Sequence, residues 1–131
     1  MNIIIAGNGK VGSTLARQLS SEGYNITLID SNAQVLESSV ERYDVIAVHG
    51  NCASMEVLQQ AGVMDADLLI AVTGEDEINL LRLCDMYNVP VATNIATAEI
   101  IVTALDRGEL DYRNFINPRS EYNVKRRNLK F

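Results

Sequence analysis

The series Gly7-Asn8-Gly9-Lys10-Val11-Gly12 follows directly on the apolar run Asn2–Ala6, and Asp30 closes the next apolar run eighteen positions beyond Gly12. A strand that turns on glycine into a helix aims free backbone N–H groups and the positive end of a helix dipole at one point, where a pyrophosphate can sit. Gly7 permits the sharp turn, Gly9 omits the Cβ that would block the phosphates, and Gly12 lets helix and strand approach closely. Asn8, Lys10 and Val11 complete the loop, with Ser31 beside Asp30 at the end of the second strand. The Asp30 carboxylate can accept hydrogen bonds from a ribose diol and repels a 2′-phosphate, so NAD(H) is expected over NADP(H). A related adenine nucleotide, ATP, ADP or AMP, is the alternative ligand. A glycine turn kept for packing alone is the competing explanation.

The rest of the chain alternates short aliphatic runs with helical segments, the pattern of a doubly wound parallel sheet. Strands are expected near Asn2–Ala6, Asn25–Asp30, Asp44–His49, Asp67–Val72 and Val89–Thr93. Helices are expected near Lys10–Glu22, Asn32–Arg42, Ser54–Ala61, Glu75–Tyr87 and Ala96–Arg107, with Val11, Leu15 and Leu19 as the buried stripe of the first. Ser31 with Gln34, and Thr73 with Asp76, have the spacing of capping boxes. Gly23 and Gly108 suit left-handed helix ends, and Asn94 suits a helix N-cap. Pro90 lacks an N–H, so it belongs at the first residue of an edge strand. Right-handed crossovers then give a three-layer, Rossmann-like α/β fold of five strands in order 3-2-1-4-5, with a crevice between strands one and four.

With 131 residues the chain has the size of a single domain. Its formal charge of −6 disfavours attraction to nucleic acid or anionic membranes. Residues 119–131 form a basic tail of +4 on a body of −10, read as a solvated extension. Cys52 and Cys84 lack metal-site spacing, and the N-terminal apolar run is too short for a signal peptide or membrane span, so a reducing cytoplasmic setting is expected. His49, the only histidine, ends a strand and is read as holding a local hydrogen bond. The acidic run Glu75-Asp76-Glu77 is read as complementing a helix dipole, and no metal site is expected.

From Met1 to about Asn79 the chain resembles the nucleotide-binding lobe of the Trk-type potassium-uptake regulators, the RCK or KTN domain. The resemblance lies in Ile4–Gly12, Leu28-Ile29-Asp30, His49-Gly50-Asn51-Cys52-Ala53-Ser54, and Asp65-Ala66-Asp67 through Ala71-Val72-Thr73-Gly74-Glu75-Asp76-Glu77-Ile78-Asn79. It implies binding of NAD(H), ATP or ADP in the service of a membrane ion channel or transporter. It also implies that Gly50, Asn51 and Cys52 lie near the adenine ribose and that Thr73 and Gly74 approach the middle of the cofactor.

From Leu80 the resemblance changes. Leu80-Leu81-Arg82-Leu83-Cys84-Asp85-Met86-Tyr87-Asn88-Val89-Pro90 through Glu99, continuing in Asp106-Arg107-Gly108 and Asn117-Pro118-Arg119, is similar to the C-terminal part of methylglyoxal synthase. That family's phosphate loop and catalytic aspartate and histidine lie upstream of the shared segment, so the resemblance implies scaffold without chemistry. The chain thus divides into a Rossmann-type half, 1–79, a synthase-like half, 80–118, and the basic tail. Two families joined inside one helix suggest an engineered chimera, with natural recombination as the alternative. Ile78, Leu81 and Cys84 or Asp85 fall at helical spacing across the joint. The leading expectation is a non-catalytic module that binds a small-molecule nucleotide and has no native role. Its rivals are a nucleotide-binding regulatory subunit of a potassium transport system and a residual lyase. A homodimer is the assembly to consider.

Overall fold

The computed structural model describes residues 1–74 and 78–108. The Thr73–Asp76 capping box, the acidic run Glu75–Glu77 and the basic tail fall wholly or partly outside them. Five parallel strands, β1 (Asn2–Ala6), β2 (Asn25–Asp30), β3 (Val45–His49), β4 (Leu68–Ala71) and β5 (Val91–Ala92), form one sheet in the order β3-β2-β1-β4-β5. Between them run helices α1 (Lys10–Ser21), α2 (Ala33–Arg42), α3 (Met55–Gln60) and α4 (Ile78–Tyr87), while α5 (Ile95–Asp106) follows β5. A 3-10 turn at Val63–Asp65, which periodicity does not reveal, leads from α3 toward β4.

The centre of the sheet is covered on both faces, because β1 from Ile3 to Ala6 and all of β4 are apolar and buried at successive positions rather than alternately. Ile3 and Ile5 of β1 join Leu28, Leu68 and Ile70 beneath Leu15, Ala16 and Leu19 of α1, Leu36 of α2 and Ala98 and Val102 of α5. Ile4 and Ala6 point the other way, with Ile29, Leu69 and Ala71, onto Leu58 of α3 and Leu80, Leu83 and Cys84 of α4. Burying one such Ile or Leu contributes about 1.5–3 kcal/mol. Three layers follow from two apolar faces.

Several boundaries and helix phases differ from the sequence expectation. The last strand is two residues long because Pro90 has no N–H to give; it precedes β5 and offers its carbonyl to Leu69 N at 2.9 Å. Val11 is 42% exposed, and Gly12, Leu15, Ala16 and Leu19 form the buried side of α1. In α4, Ile78 is 55% and Leu81 45% exposed, whereas Leu80, Leu83 and Cys84 are buried and Tyr87 half-buried. The set 80, 83, 84, 87 completes two helical turns of apolar contact; the phase through 78 and 81 runs onto the charged Asp85. Gly23 and Gly108 take positive φ, +90° and +73°, just past the ends of α1 and α5.

Candidate functional site

Parallel strands deliver their carboxyl ends to one edge, and the residues singled out from the sequence gather there. Gly7–Gly12 follow β1, Asp30 ends β2 with Ser31 next, Gly50, Asn51 and Cys52 follow β3, and Thr73 and Gly74 follow β4. Backbone bonds stitch these segments together: Gly7 N donates to Ile29 O (2.8 Å), Gly50 N to Asp30 O (3.0 Å) and Val72 N to Ala6 O (3.0 Å).

The three glycines meet different surroundings. Gly7 has φ +102°, and a Cβ there would lie 3.1 Å from Thr73 N and from the carbonyl of Val72. A Cβ on Gly12 would collide with the carbonyl oxygen of Gly7 and crowd Val72. A Cβ on Gly9 would meet nothing within 4 Å and would project into open space above the start of α1. Two glycines serve packing; at the third the space is open.

That space is also electrostatically unfilled. Gly9 is the N-cap of α1 and no side chain caps the helix, nor does an acidic residue stand in its first turn. By contrast Asn32 caps α2, Ser54 caps α3 and Asn94 caps α5, each through a side-chain oxygen. The free N–H groups of the first turn of α1 carry the positive end of the helix dipole and suit a phosphate group.

Asp30 binds the loop before it could bind any ligand. Its Oδ2 accepts from Asn8 N and its Oδ1 from Asn32 N, both at 2.8 Å. A carboxylate oxygen has a second lone pair, so a ribose diol can still be accommodated. Asn8 is 2% exposed, and its side chain turns away from the crevice: Nδ2 donates to Ser39 Oγ (2.7 Å) and Val35 O (3.2 Å) of α2. Its Oδ1 is buried with no partner among the described residues. Such an atom costs about 1–3 kcal/mol.

The remaining positions divide. Ser31 does not cap α2; the helix begins one residue later, and Asn32 Oδ1 accepts from both Gln34 N (3.0 Å) and Val35 N (3.3 Å). Ser31 instead offers its carbonyl to His49 at 2.9 Å, which fixes Nε2 as the protonated ring nitrogen and gives His49 its local bond. Gly50 packs on Val57, and Asn51 Oδ1 accepts from Ala53 N at 2.7 Å in the turn before α3. The Cys52 side chain is buried in the core and its thiol faces Ile29 O at 3.6 Å, so only its backbone borders the site. Thr73 is half-buried and Gly74 exposed. Lys10 is exposed at the first position of α1.

Past the glycine loop, Val11, Ala71, Val72, Thr73, Thr93, Asn94 and Ile95 line an open crevice of about 540 Å³ between the start of α1 and the carboxyl ends of β4 and β5. Asn94 is held as a cap, accepting from Thr97 N at 2.9 Å. Two residues of this region escaped the sequence reading. Asn79 of α4 donates through Nδ2 to Ala53 O at 2.8 Å and so steadies the loop after β3. Ser39 could have been found, since it lies three positions after the buried Leu36 while Val40 points outward. Burial leaves Cys84 as a neutral thiol, its pKa pushed up to about 12 first by desolvation and then by Asp85. Among the described residues no cluster of three His, Cys, Asp or Glu side chains could hold a metal ion. No described helix is long and apolar enough to cross a membrane.

Residues 3–112 match the TrkA-N domain family. The chain belongs to that family. Its similarity to the Trk system potassium uptake protein TrkA of Haemophilus influenzae is 46% identity over 94 residues, covering 69% of this chain and 20% of that protein. The TrkA-N domain is thus compared with a fifth of a longer relative. The C-terminal part is similar to methylglyoxal synthase of Caldicellulosiruptor saccharolyticus, 53% identical over 58 residues that cover 44% of this chain and 41% of the synthase. The TrkA-N match runs past Asn79 into the synthase-like segment. Among solved structures, the Kef C-terminal domain of Shewanella denitrificans in its AMP-bound form superposes with a TM-score of 0.57 at 25% identity, over 70% of this chain and 57% of that one. The GsuK channel bound to NAD shares the fold, with a TM-score of 0.56 at 21% identity over 79% of this chain and 20% of the channel.

Proposed function

We propose that this TrkA-N domain is a non-catalytic nucleotide-binding module, taking NAD(H) or AMP and related adenine nucleotides, in the regulation of a potassium transport system. The observation that carries the reading is the uncapped start of α1 beneath the open space at Gly9. A pyrophosphate or phosphate would rest on the first-turn N–H groups, the adenine ribose would reach Asp30, and the nicotinamide riboside of a dinucleotide would extend toward Val11, Val72 and Thr73. The AMP of the Kef domain and the NAD of the GsuK channel support this choice of ligands, and the TrkA relative supports the transport setting. Asp30 disfavours the 2′-phosphate of NADP(H) by like charge.

Isothermal calorimetry with NADH, NAD, ATP and AMP tests the reading. Heat is expected with at least one of them and none with the Gly9→Val variant, whose branched side chain fills the phosphate position. Absence of heat with all four in the parent protein sinks it.

The synthase similarity favours one addition concerning origin. We infer a recombined scaffold joined within α4, of engineered origin, so that the transport setting belongs to the source of the Rossmann-type half, while the synthase segment supplies structure and no lyase chemistry. Phosphate release from dihydroxyacetone phosphate above the uncatalysed rate would contradict the non-catalytic reading.

A further inference from the structure

We propose that Asn8 and Ser39 are positioning residues that lock the glycine loop onto α2 and thereby hold the Asp30 carboxylate in its ribose-facing pose. The proposal rests on the nucleotide-binding reading above and concerns how that site discriminates. Sequence alone places Asn8 among the ligand contacts, because it stands between Gly7 and Gly9. Its side chain does something else. Buried to 2% exposure, it passes beneath the loop and donates both amide hydrogens to α2, to Ser39 Oγ at 2.7 Å and Val35 O at 3.2 Å. Its backbone N–H points at Asp30 Oδ2 at 2.8 Å. One residue therefore spans from helix to carboxylate. Asn32 N holds the other carboxylate oxygen at 2.8 Å from the start of the same helix. Both restraints on Asp30 trace back to α2, so the register of that helix sets the direction of the carboxylate's free lone pairs.

Ser39 is itself 5% exposed, a hydroxyl on the buried side of a helix where an apolar residue would ordinarily sit. The buried, unpartnered Asn8 Oδ1 is retained beside it. Both features fit an amide kept for where its NH₂ reaches.

If the link works through Asp30, it matters for ligands that engage Asp30 and little for those that do not. Calorimetry on the full chain, with AMP and with 2′,3′-dideoxy-AMP, separates the two. Ser39→Ala, Asn8→Ala and the double variant are each expected to weaken AMP about tenfold, equivalent to about 1.4 kcal/mol. The double should lose no more than either single, since the two residues form one link. Affinity for the dideoxy ligand should stay within about twofold, a difference well below 1.4 kcal/mol. Thermal melts accompany each variant; Ser39→Ala removes one hydroxyl and keeps the test available should Asn8→Ala fail to fold. Equal losses for both ligands, additive losses, or unchanged AMP binding would each overturn the positioning role while leaving nucleotide binding intact. A parent protein that binds neither ligand overturns the positioning role, and overturns nucleotide binding as well only when NADH, NAD and ATP also give no heat.

Discussion

Gly9 and Gly12 stand one helical turn apart and answer to different forces. At Gly12 a methyl group would drive into the carbonyl of Gly7, so Gly12→Ala must shift the loop off the helix. The expected cost is about 1–3 kcal/mol of overpacking, read as a lowered urea midpoint. At Gly9 φ is −76° and the space is open, so Gly9→Ala should stay within about 0.5 kcal/mol of the parent while weakening nucleotide binding. A Gly9→Ala variant as destabilised as Gly12→Ala would mean that the open space serves packing. The Gly7 turn and the Gly12 close approach were legible in the sequence, because glycine spacing after an apolar strand encodes both. What the spacing could not encode was direction. Asn8 and Cys52 sit in site segments but turn their side chains into the protein, and Val11 lies on the crevice side of α1 rather than in its buried stripe. Asn32 rather than Ser31 caps α2, because adjacent polar residues each have cap chemistry and a shift of one residue in the helix start decides between them.

The elements were more legible than their phases. Strand order follows from crossover handedness and the single edge proline, both visible in the chain, and the sheet has that order. The phase of α4 was not visible, since an apolar helix offers two stripes and only tertiary contacts choose. That choice is testable: Leu83→Ala empties a fully buried position and should cost about 2–5 kcal/mol, whereas Leu81→Ala, on the outward face, should cost under about 0.5 kcal/mol. Similar losses at both positions would reject this phase. A second tie between elements joins the start of β2 to the end of α5. The Tyr24 hydroxyl donates to Asp106 Oδ2, and that bond, with desolvation and the nearby carboxylates, raises the Tyr24 pKa from 10.0 to about 12. The folded state therefore keeps a proton that the unfolded chain releases near pH 10. Its contribution is complete below pH 10 and is lost as pH climbs toward 12. Tyr24→Phe lacks the titrating hydroxyl, so urea melts of parent and variant should converge across that window. Cys84 titrates in both proteins and cancels. A gap that stays constant from pH 9 to 12 would remove the tie.

At the scale of the molecule, the sheet divides the interior into two apolar layers that share its strands, so neither layer can be lost without exposing the other. The candidate ligand surface lies at the one edge where four strands, α1 and the α2 link converge. A nucleotide there touches segments from both sides of β1, and occupancy should stabilise the whole cooperative unit rather than one loop. For a ligand present at 100 times its Kd, linkage gives about 2.7 kcal/mol, which for a domain of this size raises Tm by roughly 10 °C. AMP or NADH should produce that shift in the parent protein. Gly9→Val should abolish it, since its phosphate position is filled. NADPH should give less than NADH, because Asp30 repels the additional phosphate. Dihydroxyacetone phosphate carries one phosphate without an adenosine to reach Asp30 and should shift Tm little. If the triose phosphate matches AMP in differential scanning fluorimetry, recognition stops at the helix N-terminus and the ribose side of the site plays no part in it.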